Sequence, residues 1–264
     1  LFQKESRYQG NTADLENLIE NMIGRHTLTV KLAARILRKK HWPVEVLINK
    51  LEDTGFDINY KDEGEEKNLL LQYKKLYSVS ELSESEVRVL ESFSLVRHTK
   101  LHEAFCSRIL EEDEFSCLNE LYEKGWLEYE QTNAIYSIHP VFAELISEIR
   151  EISLDDHRML YHFIDQLTKN AKETEMLQKQ DYLAAMISFA RYIPLHGSHC
   201  REISNLLINC AGVALVFAEY HGAYAILKRI GESDENYIKA QLKLVDIYVS
   251  QSRFQQADSI FRYL

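Results

Sequence analysis

Apolar residues recur at helical spacing through most of this chain. Leu15, Leu18 and Ile19 lie on a short amphipathic segment, and a helix is expected from Thr27 through Arg38. Val87, Leu90 and Phe93 form the stripe of a helix that opens at the cap-rich Ser83-Glu84-Ser85-Glu86. Leu101, Phe105 and Ile109 predict a second helix, and Phe115, Leu118, Leu121 and Tyr122 a third that stops at Gly125. The period then changes. Trp126 to Glu130 and Ile135 to Ile138 alternate as two strands around the polar turn Gln131-Thr132-Asn133. Helical spacing returns with Leu160, Phe163, Ile164 and Leu167, then with Tyr182, Leu183, Met186, Ile187 and Ala190, an irregular pair closed by Pro194 and Gly197.

The last sixty residues repeat themselves. Cys210, Ala211, Ala214, Tyr220, Ala223 and Leu227 return 34 positions on as Leu244, Val245, Tyr248, Phe254, Ala257 and Phe261. That spacing is the period of a helix–turn–helix unit, in which Ala223 and Ala257 allow close helix approach. Tyr248, Phe254 and Phe261 are expected to fill the gaps between units at about 1.5–3 kcal/mol each. Both segments resemble tetratricopeptide repeats, which implies a scaffold for a protein or peptide ligand. Such a solenoid needs about three units to bury a continuous core, and the chain opens at Leu1 without methionine. The expectation is a fragment of a longer protein, with more repeats beyond Leu264.

Composition and charge narrow the picture. Three prolines and nine glycines in 264 residues favour helix throughout. No apolar run approaches the roughly 20 residues that span a bilayer, so a soluble, cytoplasmic protein is expected. Cys106, Cys117, Cys200 and Cys210 show no C-x-x-C spacing and read as reduced thiols. The formal net charge of −10 bears on the central segment. Three helices and a β-ribbon make a winged helix, which usually suggests DNA binding. Here the third helix and its approach carry Glu111, Glu112, Asp113, Glu114, Glu120 and Glu123 against Lys124, and the ribbon adds Glu128 and Glu130. A surface of that sign opposes phosphate contact.

Two segments carry a family resemblance. Gly24-Arg25-His26-Thr27-Leu28, preceded by Asp14 to Ile19, looks like the helical lid of signal-transducing NTPases of the STAND class, the NB-ARC group. Tyr136-Ser137-Ile138-His139-Pro140-Val141-Phe142 is similar to the winged-helix histidine motif of the same family. The resemblance implies a mostly α fold: a lid over residues 1–78, a winged helix with one β-hairpin over 79–150, and an α-solenoid of tetratricopeptide-like hairpins over 151–264. It implies that lid and winged helix close over ADP or ATP bound to an upstream nucleotide-binding core. Gly24 and Thr27 would lie beneath the adenine, and His139 would reach the β-phosphate. Thr27 stands where the family commonly has proline, and is expected to start its helix as an N-cap. Pro140 stands where plant relatives carry aspartate.

The residues around His139 support two readings on their own. Pro140 suits the first turn of a helix, so the amides of Val141 and Phe142 would face an anion in front of it, with His139 as donor. Equally, His139 can simply cap its own helix. A phosphate-cradling G-x-x-x-x-G-K-[ST] loop is absent, since none of the nine glycines precedes lysine. The chain itself is therefore expected to be no enzyme, with no catalytic residues and no cofactor of its own. His98, His102 and Cys106 fall on one helical stripe, and His196 to Cys200 cluster three donors, but neither has a full metal-ligand set. Asp62 to Glu66 reads as a solvated acidic loop, and Asp155-Asp156 as a helix start. A winged-helix transcriptional regulator with a repeat sensor, or a plain repeat scaffold, is the alternative to the STAND reading.

Overall fold

The computed structural model describes residues 2, 12–19, 27–53, 79–170, 180–196 and 199–264. They are mostly helical, with one small antiparallel sheet. Contacts divide the chain into two compact units, residues 1–87 with 116–129 and residues 88–115 with 130–264.

In the first unit, α1 (Thr12–Asn17), α2 (Thr27–Lys40) and α3 (Val44–Asp53) enclose a core of Leu15, Leu18, Val30, Ala34, Leu37, Leu47 and Leu51. On α2 the positions 30, 33, 34 and 37 are buried, the spacing of an apolar face that turns inward. The helix also packs on one from later in the chain, Leu118–Lys124. That helix ends at Gly125, whose φ of 84° is the left-handed value a C-terminal stop requires. The amides of Gly125 and Trp126 then close onto the carbonyls of Tyr122 and Leu121 at 3.0 and 2.9 Å.

Numbered in chain order, α4 (Glu84–Leu95) follows the first three helices, then strand β1 (Leu101–His102), α5 (Glu103–Ile109), α6 (Glu112–Ser116) and α7 (Leu118–Lys124). Strands β2 (Leu127–Glu130) and β3 (Ile135–Ile138) come next, then α8 (Pro140–Ile149). The start of α4 is a reciprocal capping box: Ser83 Oγ accepts from the Glu86 amide at 3.2 Å, and Glu86 Oε2 accepts from the Ser83 amide at 2.9 Å.

Two expectations change here. Leu101 is a strand residue and not the first position of a helical stripe. It stands opposite Tyr136, and His102 opposite Ile135, so the single hairpin becomes a three-stranded sheet in the order β1-β3-β2. The reason is backbone pairing. The edge of β3 offers unpaired amides and carbonyls, and satisfying them outweighs a three-residue apolar periodicity. The expected third helix is likewise divided into α6 and α7.

The remainder of the second unit is a 3-10 turn (Asp155–His157), α9 (Arg158–Lys169), α10 (Gln180–Tyr192), α11 (Cys200–Val216), α12 (Tyr220–Leu227), α13 (Tyr237–Ser250) and α14 (Phe254–Tyr263). The edge-to-face aromatic cluster Phe105, Phe163 and Tyr182 joins α5, α9 and α10, with ring centroids 5.0–5.7 Å apart. The hairpins α11–α12 and α13–α14 repeat at 34 residues. Cys210, Ala211, Ala214, Ala223, Leu244, Val245 and Ala257 are buried as their small or apolar character requires. Phe254 and Phe261, expected to fill gaps between units, are instead 63% and 57% exposed. Few described residues pack on α14 apart from those of α13, so its outer aromatic positions have nothing to fill.

Candidate functional site

His139 sits where β3 passes into α8. Its backbone is extended (φ −69°, ψ 137°) and its ring Nδ1 accepts from the Val141 amide at 3.3 Å, an N-cap. The amides of Phe142 and Ala143 close onto the His139 carbonyl at 2.9 and 3.1 Å. The Val141 and Phe142 amides are thus occupied within the helix start, and the expectation that they face an anion is not met. Acceptance at Nδ1 has a further consequence: a neutral ring then carries its proton on Nε2 and is a donor there.

His102 repeats the arrangement at the junction of β1 and α5, its Nδ1 accepting from the Ala104 amide at 3.1 Å. The sheet therefore delivers two helices, each through a histidine cap. His98, His102 and Cys106 do not share a helical stripe, because they lie in a turn, a strand and α5 respectively. Burial pushes the Cys106 thiol up to about 12, which makes it inert as a nucleophile.

Of the other two nucleotide-contact candidates, Gly24 lies outside the described residues. Thr27 is the first residue of α2, and its side chain also lies outside them.

The acidic helix α7 has partners that no local sequence pattern reveals. Lys31, Arg35 and Arg38 lie at i, i+4 and i+7 on α2, a stripe one turn removed from its apolar face. Arg38 Nη2 donates to Glu123 Oε2 at 2.8 Å, and Lys31 Nζ lies 3.8 Å from Glu128 Oε1. Arg35, itself buried, donates to the Leu127 carbonyl at 3.3 Å, and its guanidinium lies 5.1 Å from the centre of the Tyr122 ring. Lys124, the cation of α7, is bound to the buried Glu86 carboxylate. Burial works to raise the Glu86 carboxyl, but the hydrogen bonds from Lys124 and Ser83 outweigh it and hold the group below its ordinary range. The signal in the sequence was the cation spacing on α2, which has meaning only once α7 is known to lie against it.

A second cluster that the sequence did not announce lies in the other unit. Glu91 of α4 accepts from Arg150 Nε at 3.1 Å through one carboxylate oxygen, and its other oxygen is 3.2 Å from His157 Nε2. Ser92 Oγ lies 3.0 Å from His157 Nδ1. With the imidazole proton on Nε2 toward the carboxylate, the serine hydroxyl donates to Nδ1. Serine, histidine and glutamate within hydrogen-bond reach suggest a hydrolytic triad in outline, but Ser92, His157 and Glu91 are all buried, and a nucleophile needs access. The cluster fastens the end of α8 and the turn before α9 to α4. Nearby Glu114 is also buried, and burial raises its carboxyl above the ordinary range.

The histidines near residue 196 lie beside surface carboxylates. His199 lies 3.2 Å from Asp155 and 3.3 Å from Glu202, and His196 lies 3.6 Å from Glu151. Asp155, in the turn before α9, also accepts from Arg158 at 2.7 Å. Among the described residues no group of three or more histidine, cysteine or carboxylate side chains could hold a metal ion, and no helix is long and apolar enough to cross a membrane. Asp62 to Glu66 lie outside the described residues. Compared with protein-family models, curated proteins and solved structures, the chain matches none of them.

Proposed function

We propose that this chain is the regulatory arm of a STAND-class signalling ATPase. Residues 1–78 serve as the lid, 79–150 as a winged helix, and 151–264 as a tetratricopeptide-like sensor for a protein or peptide. The nucleotide is held by a core outside this chain, and the arm restrains that core while ADP is bound.

The observation that carries this reading is the position of His139. It stands at the strand-to-helix junction with Nδ1 accepting from the Val141 amide of its own helix, so in a neutral ring the proton lies on Nε2, the kind of group that donates to a phosphate oxygen. The cap at Nδ1 and a contact from Nε2 use different ring atoms. Two further features support the reading. The cations of α2 engage α7 and β2, and Lys124 is already bound to Glu86, so this helix has little to offer a DNA backbone. The Glu91–Arg150–His157 cluster ties the far end of α8 to α4 and to the turn before α9, so α8 links His139 to that turn. Release requires the sensor's ligand to prefer the open arrangement over the closed one.

The test uses the intact ATPase. ADP carried through purification is released by denaturation and quantified by chromatography. His139→Asn keeps the N-cap, because asparagine caps as well as any residue, yet it should lose most of the bound ADP and raise activity without effector. His102→Asn, the same cap on the other helix, should change neither. Full ADP retention in His139→Asn sinks the latch.

A further inference from the structure

A cleft of about 580 Å³ opens in the second unit between the turn after α4, the outer face of α10 and the turn joining α11 to α12. Its volume falls within the roughly 300–1,000 Å³ typical of small-molecule sites. Three of its walls are chemically distinct. Ile187 and Phe217 supply apolar surface, Tyr192 an aromatic platform, and Arg97 and Arg191 positive charge with the His98 imidazole beside them, against the carboxylate of Glu219 in the lining. In a chain of net charge −10 this local excess of cations runs against the general balance.

The cations differ in how they are held. Arg97 is half-buried and committed: Nε donates to the Ser94 carbonyl and Nη2 to Ser147 Oγ, both at 2.6 Å, and its guanidinium stacks 4.0 Å from the centre of the Tyr192 ring. Its role is to fix the platform. Arg191, exposed in the last turn of α10, forms no ion pair among the described residues. His98 is exposed beside it, at a φ of 65° that a residue with a Cβ adopts only at a cost. Burial first, and then the charges of Arg97 and Arg191, hold the His98 imidazole below its ordinary range. The mouth of the cleft therefore holds two guanidinium groups beside an imidazole, with Glu144 near Arg97 and Glu219 in the lining as the facing carboxylates.

We propose that this cleft binds a small organic oxyanion with an apolar body, the anion at Arg191 and His98 and the body along Tyr192, Ile187 and Phe217. Such a ligand would touch α4's turn, α10 and the α11–α12 turn together, and through Arg97 and Ser147 it would bear on α8. The proposal stands on the cleft alone and is independent of the nucleotide latch.

Calorimetric titration of the purified chain tests it with four probes: octanoate, octyl phosphate, 1-octanol and inorganic phosphate. Octanoate or octyl phosphate, whichever headgroup the site prefers, should bind saturably, and 1-octanol and inorganic phosphate at least about tenfold more weakly. Arg191→Gln and His98→Gln, both exposed positions, should each weaken binding about tenfold, the usual loss of a charge-assisted contact. Arg201→Gln, on the surface of α11, should leave it unchanged. An independent readout is the imidazole of His98 followed by NMR, whose pKa should rise when the anion arrives among Arg97, Arg191 and Glu219. No saturable binding, equal binding of 1-octanol, or unaltered affinity in both cleft variants would each overturn the assignment.

Discussion

The hairpins α11–α12 and α13–α14 share a turn and differ in what covers their second helix. Ala218 and Ser252, 34 residues apart, both take φ 59°. The amide one residue on donates back to the carbonyl five residues earlier, Glu219 to Ala214 at 2.8 Å and Arg253 to Tyr248 at 2.7 Å. Yet Leu227 is fully buried, while its counterpart Phe261 is largely exposed. Helix α12 packs against α10, α11 and α13, and a Cβ at Gly222 would come within 3.1 Å of Ile187. The equivalent position on α14 is Gln256. The lesson is that a repeat's turn is a local property of its residues, whereas the burial of its helices belongs to the neighbours.

The contrast can be broken by mutation, the largest effect first. Leu227→Ala should destabilise the chain by about 2–5 kcal/mol, read from the urea midpoint, because it opens a cavity in a closed interface. Gly222→Gln, which writes the second hairpin's residue into the first, should cost about 1–3 kcal/mol by overpacking against Ile187. The reverse change Gln256→Gly should cost roughly 0.5–1 kcal/mol, the helix penalty of glycine alone. Ala218→Gly and Ser252→Gly should each stabilise by about 0.5–1 kcal/mol, relief of the left-handed conformation exceeding the added chain entropy. Equal shifts in melting temperature at the two sites would sharpen the view that the turns are local. Phe261→Ala should stay within about 0.5 kcal/mol. A loss as large as that of Leu227→Ala would show that the outer face of α14 is covered in solution.

Much of the fold was legible because its determinants are close in sequence. Ser83 and Glu86 announce a capping box from three residues apart, Gly125 a left-handed stop, and the alternation around Gln131 to Asn133 a ribbon. His139 was legible as a cap for the same reason. Leu101 was misjudged because its partner Tyr136 lies in another element, and a short apolar stripe cannot reveal a strand edge. The Lys31, Arg35 and Arg38 stripe and the buried Glu91–His157 pair carry no local signal of their role. Their meaning depends on partners 66 to 97 positions away.

The sequence by itself determined where helices start and stop, how the ribbon turns, and the 34-residue period, since each rests on hydrogen bonds and φ preferences within a few residues. Only the tertiary structure decided which cations met carboxylates, which aromatic residues went inside, and that Arg97, His98 and Arg191 would crowd one cleft. Those outcomes depend on burial and charge shared between distant segments, and no local pattern encodes which segments come together.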